Sequence, residues 1–165
     1  MTYRQALAKE MVKLSKISNS IFLGQQVGVT DFYKTLGKVK RSKRLELPVA
    51  EELQMGMSIG LAMKGYLPIS VYQRMDFLPR ACDQIVNHLN ISKHKVIIRT
   101  TIGSKTPLDT GYQHSKDLTI PFFHLCRFPV VKLESVHSIK YWYNVARKCN
   151  HSIMLIEEQD KYDTT

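Results

Sequence analysis

Long apolar runs and cysteines are both scarce in this sequence of 165 residues. No run approaches the roughly 20 apolar residues that a membrane-spanning helix needs, so we expect no membrane partner. The three cysteines are odd in number and widely spaced, which favours neither a disulfide framework nor a zinc cluster. Reduced thiols are typical of the cytoplasm, and we therefore expect a cytoplasmic protein. The cysteines are Cys82, Cys126 and Cys149.

Several motifs that mark common enzyme sites are also missing. The sequence has no G-x-G-x-x-G dinucleotide motif, no Walker phosphate loop and no G-x-S-x-G nucleophile elbow. Histidines and cysteines do not cluster at the spacing of metal ligands, so we expect no metal to be held by this chain itself. These absences exclude the enzyme classes that such motifs define.

Acidic residues are few, with 14 Asp and Glu against 24 Lys and Arg, which gives a formal charge of +10. One segment, 34–44, contains six basic residues and no acid. It is interpreted as a solvated loop, as a docking segment for an acidic protein or as a nucleic-acid contact, in that order of preference. Residues 158–165 are acidic instead, and we expect them to form an exposed tail. The six basic residues are Lys34, Lys38, Lys40, Arg41, Lys43 and Arg44.

The length suits one domain, and periodicity predicts strands that alternate with helices. This alternation predicts an α/β fold with a mostly parallel sheet and helices on both of its faces. We expect helices over 2–14, 49–64, 77–90, 118–126 and 135–148, and strands over 21–24, 45–47, 67–72, 95–101, 130–133 and 152–156.

The predicted helix over 49–64 has an unusual composition. Between Leu53 and Met63 it carries no charge, and a helix that is apolar on every side is expected to be buried on every side. Gly56 and Gly60 lie four residues apart and cost about 2 kcal/mol relative to alanine. Close packing against another backbone would offset that cost. In so small a chain, we expect a second subunit to cover one side of this helix.

Four collinear stretches resemble a known family: Gly-Gln-Gln-Val at 24–27, Leu-Pro-Val-Ala-Glu at 47–51, Ala-Cys-Asp-Gln-Ile-Val-Asn-His at 81–88 and Tyr-Gln-His-Ser at 112–115. In this order and spacing, residues 1–157 resemble the pyrimidine-binding domain of the beta subunits of 2-oxo acid dehydrogenases. These proteins are transketolase-like enzymes that depend on thiamine diphosphate. The resemblance implies the thiamine-diphosphate-binding fold.

The resemblance also implies a role for Glu51. In this family, thiamine diphosphate lies between two domains, and a glutamate of the pyrimidine-binding domain hydrogen-bonds a pyrimidine ring nitrogen. Proton exchange at that nitrogen favours the imino tautomer, which removes the proton of the thiazolium carbon. A catalytic role for Glu51 is implied by its Pro-x-Ala-Glu setting. The residues alone leave another interpretation open, in which Glu51 and Glu52 only complement the helix dipole.

The remaining site residues are carried over in the same way. Phe77 is expected to stack on the pyrimidine ring, and Gln26 and Arg80 to contact the cofactor. Gln113 and His114 are expected on the substrate side, where a histidine can orient or protonate a bound group. Relatives often have glutamine where this chain has Arg80, and two acids where it has Gln25 and Gln26.

The family's Gly-Asp-Gly…Asn motif for diphosphate and Mg²⁺ is absent from this sequence. The resemblance therefore implies a separate, alpha-type subunit that holds both groups, in an alpha2beta2 heterotetramer. The expected reaction makes or breaks a carbon–carbon bond next to a carbonyl, on a 2-oxo acid or a ketose. Two alternatives stay open: a non-catalytic interaction subunit of the same fold, and a basic nucleic-acid-binding module.

Overall fold

Six strands form one sheet, and each of its five pairings is parallel. The computed structural model describes residues 1–106 and 109–164, so Thr165 of the expected tail lies outside it. The strand order is β2-β1-β3-β4-β6-β5. The expected mostly parallel sheet is confirmed. The strands are β1 Ser20–Gly24, β2 Arg44–Glu46, β3 Leu67–Val71, β4 Ile97–Ile102, β5 Val130–Lys132 and β6 Ile153–Glu158.

Four α-helices connect or flank the strands close to the predicted positions. Two of them begin at side-chain caps, because Thr2 and Ser135 accept hydrogen bonds from the backbone amides of Gln5 and Ser138. No helix within the described residues is long and apolar enough to cross a lipid bilayer. The helices are α1 Tyr3–Ser15, α2 Glu51–Met63, α3 Thr119–Leu125 and α4 Val136–Lys148.

The sheet separates two hydrophobic clusters, which confirms helices on both faces. Strand β6 shows the division, since Ile153 and Leu155 join one cluster, whereas Met154 and Ile156 join the other. Burial on both faces explains why the central strands read as continuous apolar runs. Helices α1 and α4 cover the first face; α2, α3 and the segment 75–91 cover the second.

The segment predicted as one helix over 77–90 is helical but irregular. It consists of a 3₁₀ helix over Met75–Ala81, a π-helical turn over Gln84–His88 and a 3₁₀ turn over Leu89–Ile91. Pro79 lies inside the first of these pieces. Because proline lacks an amide hydrogen and its ring crowds the preceding turn, a regular α-helix is disfavoured here.

Within the single chain, helix α2 is buried on one side only; the expectation that a second subunit covers the other side stays a prediction. Within the single chain its buried positions include the polar residues Glu51, Gln54 and Ser58. Its apolar residues partly face outward, with Leu53 52% exposed and Met63 62% exposed. Two of the inward polar groups find partners, since Gln54 donates to Ser70 and to the Val71 carbonyl and Ser58 donates to the Gln54 carbonyl.

The acidic tail is only partly exposed, so the expectation of an exposed tail is wrong at Tyr162. Asp160 and Asp163 face solvent. Tyr162, however, is 3% exposed, stacks on the ring of Tyr3 at 6.0 Å and donates to Glu157 Oε2 at 2.7 Å. The acidic composition alone did not reveal this aromatic anchor.

A buried ion pair joins β4 to β6. Arg99 Nη2 donates to Glu157 Oε2 at 3.0 Å and to Thr35 Oγ1 at 2.8 Å. Tyr143 donates to the other oxygen of Glu157 at 3.3 Å. Burial lowers the pKa of Arg99, but Glu157 and the nearby tyrosines outweigh that effect, so the pKa is raised overall. Burial, followed by the Glu157 charge, raises the pKa values of Tyr143 and Tyr162, which keeps both as hydrogen-bond donors.

Candidate functional site

The predicted site residues lie at the edge where parallel strands end. In open α/β sheets, ligands bind outside the carboxyl ends of the strands. The loop after β1 carries Gln25, the loop after β3 carries Gln73, and the loop after β4 carries His114. Helix α2 starts at this same edge, so its first residue, Glu51, faces these loops.

Glu51 is buried at the first position of α2, with 6% of its surface exposed. Its backbone carbonyl accepts a hydrogen bond of 3.2 Å from the Tyr72 hydroxyl. Its Oε2 lies 3.0 Å from Arg80 Nε, yet it has no hydrogen-bond partner of good geometry. Glu52 is exposed. A glutamate that only complements the helix dipole can stay exposed, as Glu52 does. The burial of Glu51 therefore calls for a further role.

A narrow cleft surrounds the Glu51 carboxylate and widens toward solvent. Its inner part has room for about one water molecule, roughly 10 Å³, and it opens into a space of about 340 Å³ beside Arg80. Phe77 closes one wall of the inner part. The cleft is lined by Gln25, Pro48, Val49, Ala50, Glu51, Gln54, Val71, Tyr72, Gln73 and Phe77.

The rings of Phe77 and His114 are in contact, although the two residues lie in separate 3₁₀ segments, Met75–Ala81 and Tyr112–His114. Their ring centroids lie 5.6 Å apart in an edge-to-face arrangement, which is favourable for aromatic groups. Gly103 makes this possible, because a Cβ there would lie 1.9 Å from the His114 carbonyl oxygen. The loop after β4 can therefore fold back against the strand end only with glycine at this position.

The other predicted residues differ in their exposure and in whether they line the cleft. Arg80 is 71% exposed and reaches Glu51 only with its guanidinium. Gln113 is exposed in the 3₁₀ turn Tyr112–His114. Gln25 lines the cleft, whereas Gln26 is exposed and does not. The backbone of Gln26 has a φ of 61°, and its backbone N–H donates to Glu46 Oε1. The chain therefore turns away from the cleft after Gln25.

Sequence reasoning missed Gln54. Its side-chain Nε2 donates to Ser70 Oγ and to the Val71 carbonyl, both at 3.0 Å, and lies 3.4 Å from the Leu23 carbonyl. One amide therefore fastens α2 to the ends of β1 and β3. A signal was available, because Gln54 lies three residues after Glu51, on the same helix face, within an otherwise apolar stretch.

The described residues offer no metal centre. Within 1–106 and 109–164, no group of three or more His, Cys, Asp or Glu side chains could hold a metal ion. All three cysteines are free. Burial, together with the neighbouring Cys82, raises the pKa of Cys126 to about 12, so this thiol stays protonated at neutral pH.

Comparisons with known proteins agree with this geometry. The chain is 26% identical over 174 residues to the "Pyruvate dehydrogenase E1 component subunit beta, mitochondrial" of Caenorhabditis elegans, which covers 98% of this chain and 49% of that protein. It is 27% identical over 126 residues to the "3-methyl-2-oxobutanoate dehydrogenase subunit beta" of Mycobacterium tuberculosis, covering 71% of this chain and 35% of that protein.

A solved structure described as "Split gene transketolase, inactive beta4 tetramer" superposes with a TM-score of 0.73 at 20% identity. The match covers 94% of this chain and 50% of that one, and it establishes a shared fold. The chain thus spans about half the length of the curated relatives it matches. The family described as "Transketolase, pyrimidine binding domain" matches residues 1–162, and the chain therefore belongs to that family.

Proposed function

We propose that this chain is the pyrimidine-binding subunit of a split thiamine-diphosphate-dependent enzyme. The enzyme makes or breaks a carbon–carbon bond next to a carbonyl. The observation that carries the proposal is Glu51, which is buried at the edge of the sheet with a carboxylate oxygen that, among the described residues, accepts no hydrogen bond and is reached only by exposed Arg80. Buried polar atoms are nearly always satisfied, so this oxygen indicates a site for a hydrogen-bonding ligand.

The residues of the cleft fit an aminopyrimidine. Glu51 would hydrogen-bond a ring nitrogen and exchange a proton there, and Phe77 would supply an apolar wall for the ring. The inner cleft has room for about 10 Å³, so binding of the ring against Phe77 would require the walls of this inner part to move apart. The adjoining space of about 340 Å³ beside Arg80, which Phe77 does not line, would hold other parts of the coenzyme. When bound, thiamine diphosphate supplies the carbon nucleophile that attacks the substrate carbonyl. His114, against Phe77, would orient that carbonyl.

The diphosphate and Mg²⁺ are assigned to a separate alpha-type subunit. The sequence lacks the motif that holds them, and α2 presents an apolar face for a partner. At Gly60, an added Cβ would meet no atom of residues 1–106 or 109–164 within 4 Å, so no contact within that part of the chain requires glycine there. Close approach of another subunit explains it. We propose an alpha2beta2 heterotetramer that acts on a 2-oxo acid or a ketose.

The test is the variant Glu51→Gln in the complex purified from the native host through a tagged copy of this chain. Loss of the proton-exchanging carboxyl is expected to lower kcat by about 100-fold or more, the usual size of a general acid–base contribution. Glu52→Gln, one residue away and exposed, is the matched control and should stay within twofold. Equal turnover by the Glu51→Gln complex would refute the proposal.

A second candidate is a non-catalytic subunit of the same fold. The ion pair between Arg80 and Glu51 favours it, because the guanidinium contacts the oxygen that the pyrimidine would need. This alternative predicts that the purified complex does not bind thiamine diphosphate, which calorimetry measures directly.

A further inference from the structure

A second groove, rimmed by lysines, is formed by residues that do not line the cleft. We call it the lysine groove; it runs between α1 and the segment 34–38 and encloses about 720 Å³. Ala8 and Val12 form an apolar, half-buried floor. The groove is lined by Gln5, Ala8, Lys9, Val12, Lys13, Lys34, Thr35, Gly37 and Lys38.

The charge of the lysine groove is almost uncompensated. No acid lines it. The nearby Glu10 is buried and contacts both Lys13, at 2.6 Å, and Arg147. Asp31 accepts the backbone amide of Lys34 at 2.9 Å. Within the part of the chain that the structure describes, Lys9, Lys34 and Lys38 form no ion pair, so three positive charges face the groove without a partner.

The walls of the groove are held in place by the core. The neighbouring loop is fixed at Thr35, whose hydroxyl accepts a hydrogen bond of 2.8 Å from buried Arg99. It is fixed again at Lys43, whose Nζ donates to the carbonyls of Ile17 and Ser18. Leu36 is fully buried in the cluster that α1 covers. The groove is therefore preformed and does not depend on an occupant.

The basic residues of the segment 34–44 differ in what they contact. Lys43 is bound to backbone carbonyls, and Arg44 donates to the Thr30 carbonyl at 3.0 Å. Lys34 and Lys38 line the groove instead, whereas Lys40 and Arg41 are exposed outside it. The segment is thus not a uniform basic patch, and two of its charges lie at a groove with an apolar floor.

We propose that the lysine groove binds an acidic amphipathic helix of a protein partner. Apolar side chains of such a helix would cover Ala8 and Val12, and its carboxylates would face the lysine rim. From Gln5 to Lys13 the groove extends about 12 Å along α1, the length of roughly two helical turns.

Other occupants match the groove less well. Its lining holds no aromatic ring and no arginine, the groups that most often stack on bases or fork onto phosphates. A second copy of the chain would bring a formal charge of +10 against another of the same sign. The occupant is also independent of the proposed catalytic partner, since the groove lies on the α1 face of the sheet and α2 lies on the other.

The test uses the full chain and a labelled 14-residue peptide with glutamates on both sides of a leucine and alanine stripe. Fluorescence anisotropy measures binding at low and moderate salt. The triple variant Lys9→Gln, Lys34→Gln, Lys38→Gln is expected to bind about tenfold more weakly, because each exposed ion pair contributes modestly. The matched control neutralises three exposed lysines elsewhere and should bind within twofold: Lys64→Gln, Lys93→Gln, Lys140→Gln.

Further binding experiments distinguish an acidic amphipathic helix from other ligands. Replacing Val12 with serine should weaken binding about threefold, since the floor contributes apolar contact. A scrambled peptide of the same composition should bind at least fivefold more weakly. Equal binding by the two triple variants, equal binding by the scrambled peptide, or tighter binding of a single-stranded DNA of matched charge would each overturn the proposal. Urea denaturation of every variant confirms that it is folded.

Discussion

At the scale of single residues, Arg80 determines how available Glu51 is. Its Nε lies 3.0 Å from Glu51 Oε2, and its side chain is 71% exposed. A long, exposed side chain can rotate away at small cost, and because the guanidinium is largely solvated the ion pair contributes about 1 kcal/mol. Under the proposed function, coenzyme binding at Glu51 would break this contact.

Replacing Arg80 with glutamine should therefore tighten thiamine diphosphate binding in the assembled complex by up to about fivefold. Calorimetric titration with and without Mg²⁺ measures the change. Arg127→Gln, a change at another exposed arginine, is the control and should leave the affinity unaltered. Weaker binding by Arg80→Gln would show that Arg80 contacts the coenzyme instead of competing with it.

At the scale of elements, α2 combines an inward polar face with an outward apolar one. Gly60→Ala should stabilise the isolated chain by about 1 kcal/mol, because alanine is the better helix former and the added methyl meets no atom within 4 Å. The same change should weaken assembly with a partner that packs closely on α2. Urea denaturation measures the first effect and analytical ultracentrifugation the second.

Gly65→Ala is the matched control for that prediction. Its added methyl also meets nothing within 4 Å, but Gly65 has a φ of 84°, where alanine is strained. This variant should lower the free energy of unfolding by about 1 kcal/mol. If Gly60→Ala stabilises the chain and assembles normally, the proposed close packing on α2 is wrong.

Elements with strong periodicity were predictable from the sequence, and irregular ones were not. The continuous apolar run of β6 and the Ser135 cap of α4 are local signals, so both elements were placed to within a few residues. Residues 77–90 were predicted as one helix because their apolar spacing is helical, but Pro79 lies within the first turns and disfavours a regular α-helix there. The outward face of α2 could not be predicted, because composition does not reveal which side meets the sheet.

The residues of the candidate site were likewise predictable only in part. Glu51 was identified by its Pro-x-Ala-Glu setting, and its burial is consistent with the expectation. The choice between Gln25 and Gln26 depends on a backbone turn at a φ of 61°, which the sequence did not reveal. The contact between Phe77 and His114 joins two segments that are far apart in sequence, and nothing in the sequence predicted it.

At the scale of the whole molecule, the ion pair of Arg99 and Glu157 joins β4, β6 and α4 through shared hydrogen bonds. Removing one member of a buried pair leaves the other charge uncompensated, which costs about 3–5 kcal/mol. Glu157→Gln should therefore lower the free energy of unfolding by about that amount, as measured by urea denaturation.

The surface pair of Arg4 and Asp163 provides the comparison. Asp163 is largely exposed, so Asp163→Asn should change the free energy of unfolding by less than about 1 kcal/mol. A loss of similar size in both variants would mean that the buried network does not carry the stability assigned to it.

The side-chain amide of Gln54 connects helix α2 to the strand end beside the candidate site. It fastens α2 to the backbone of β3 and to Ser70, directly before the loop that carries Gln73. Under the proposed function, a partner that packs on the outer surface of α2 would therefore contact a helix that is hydrogen-bonded directly to the strand end beside Glu51. A poorly fitting partner would then give an assembly that is folded but inactive.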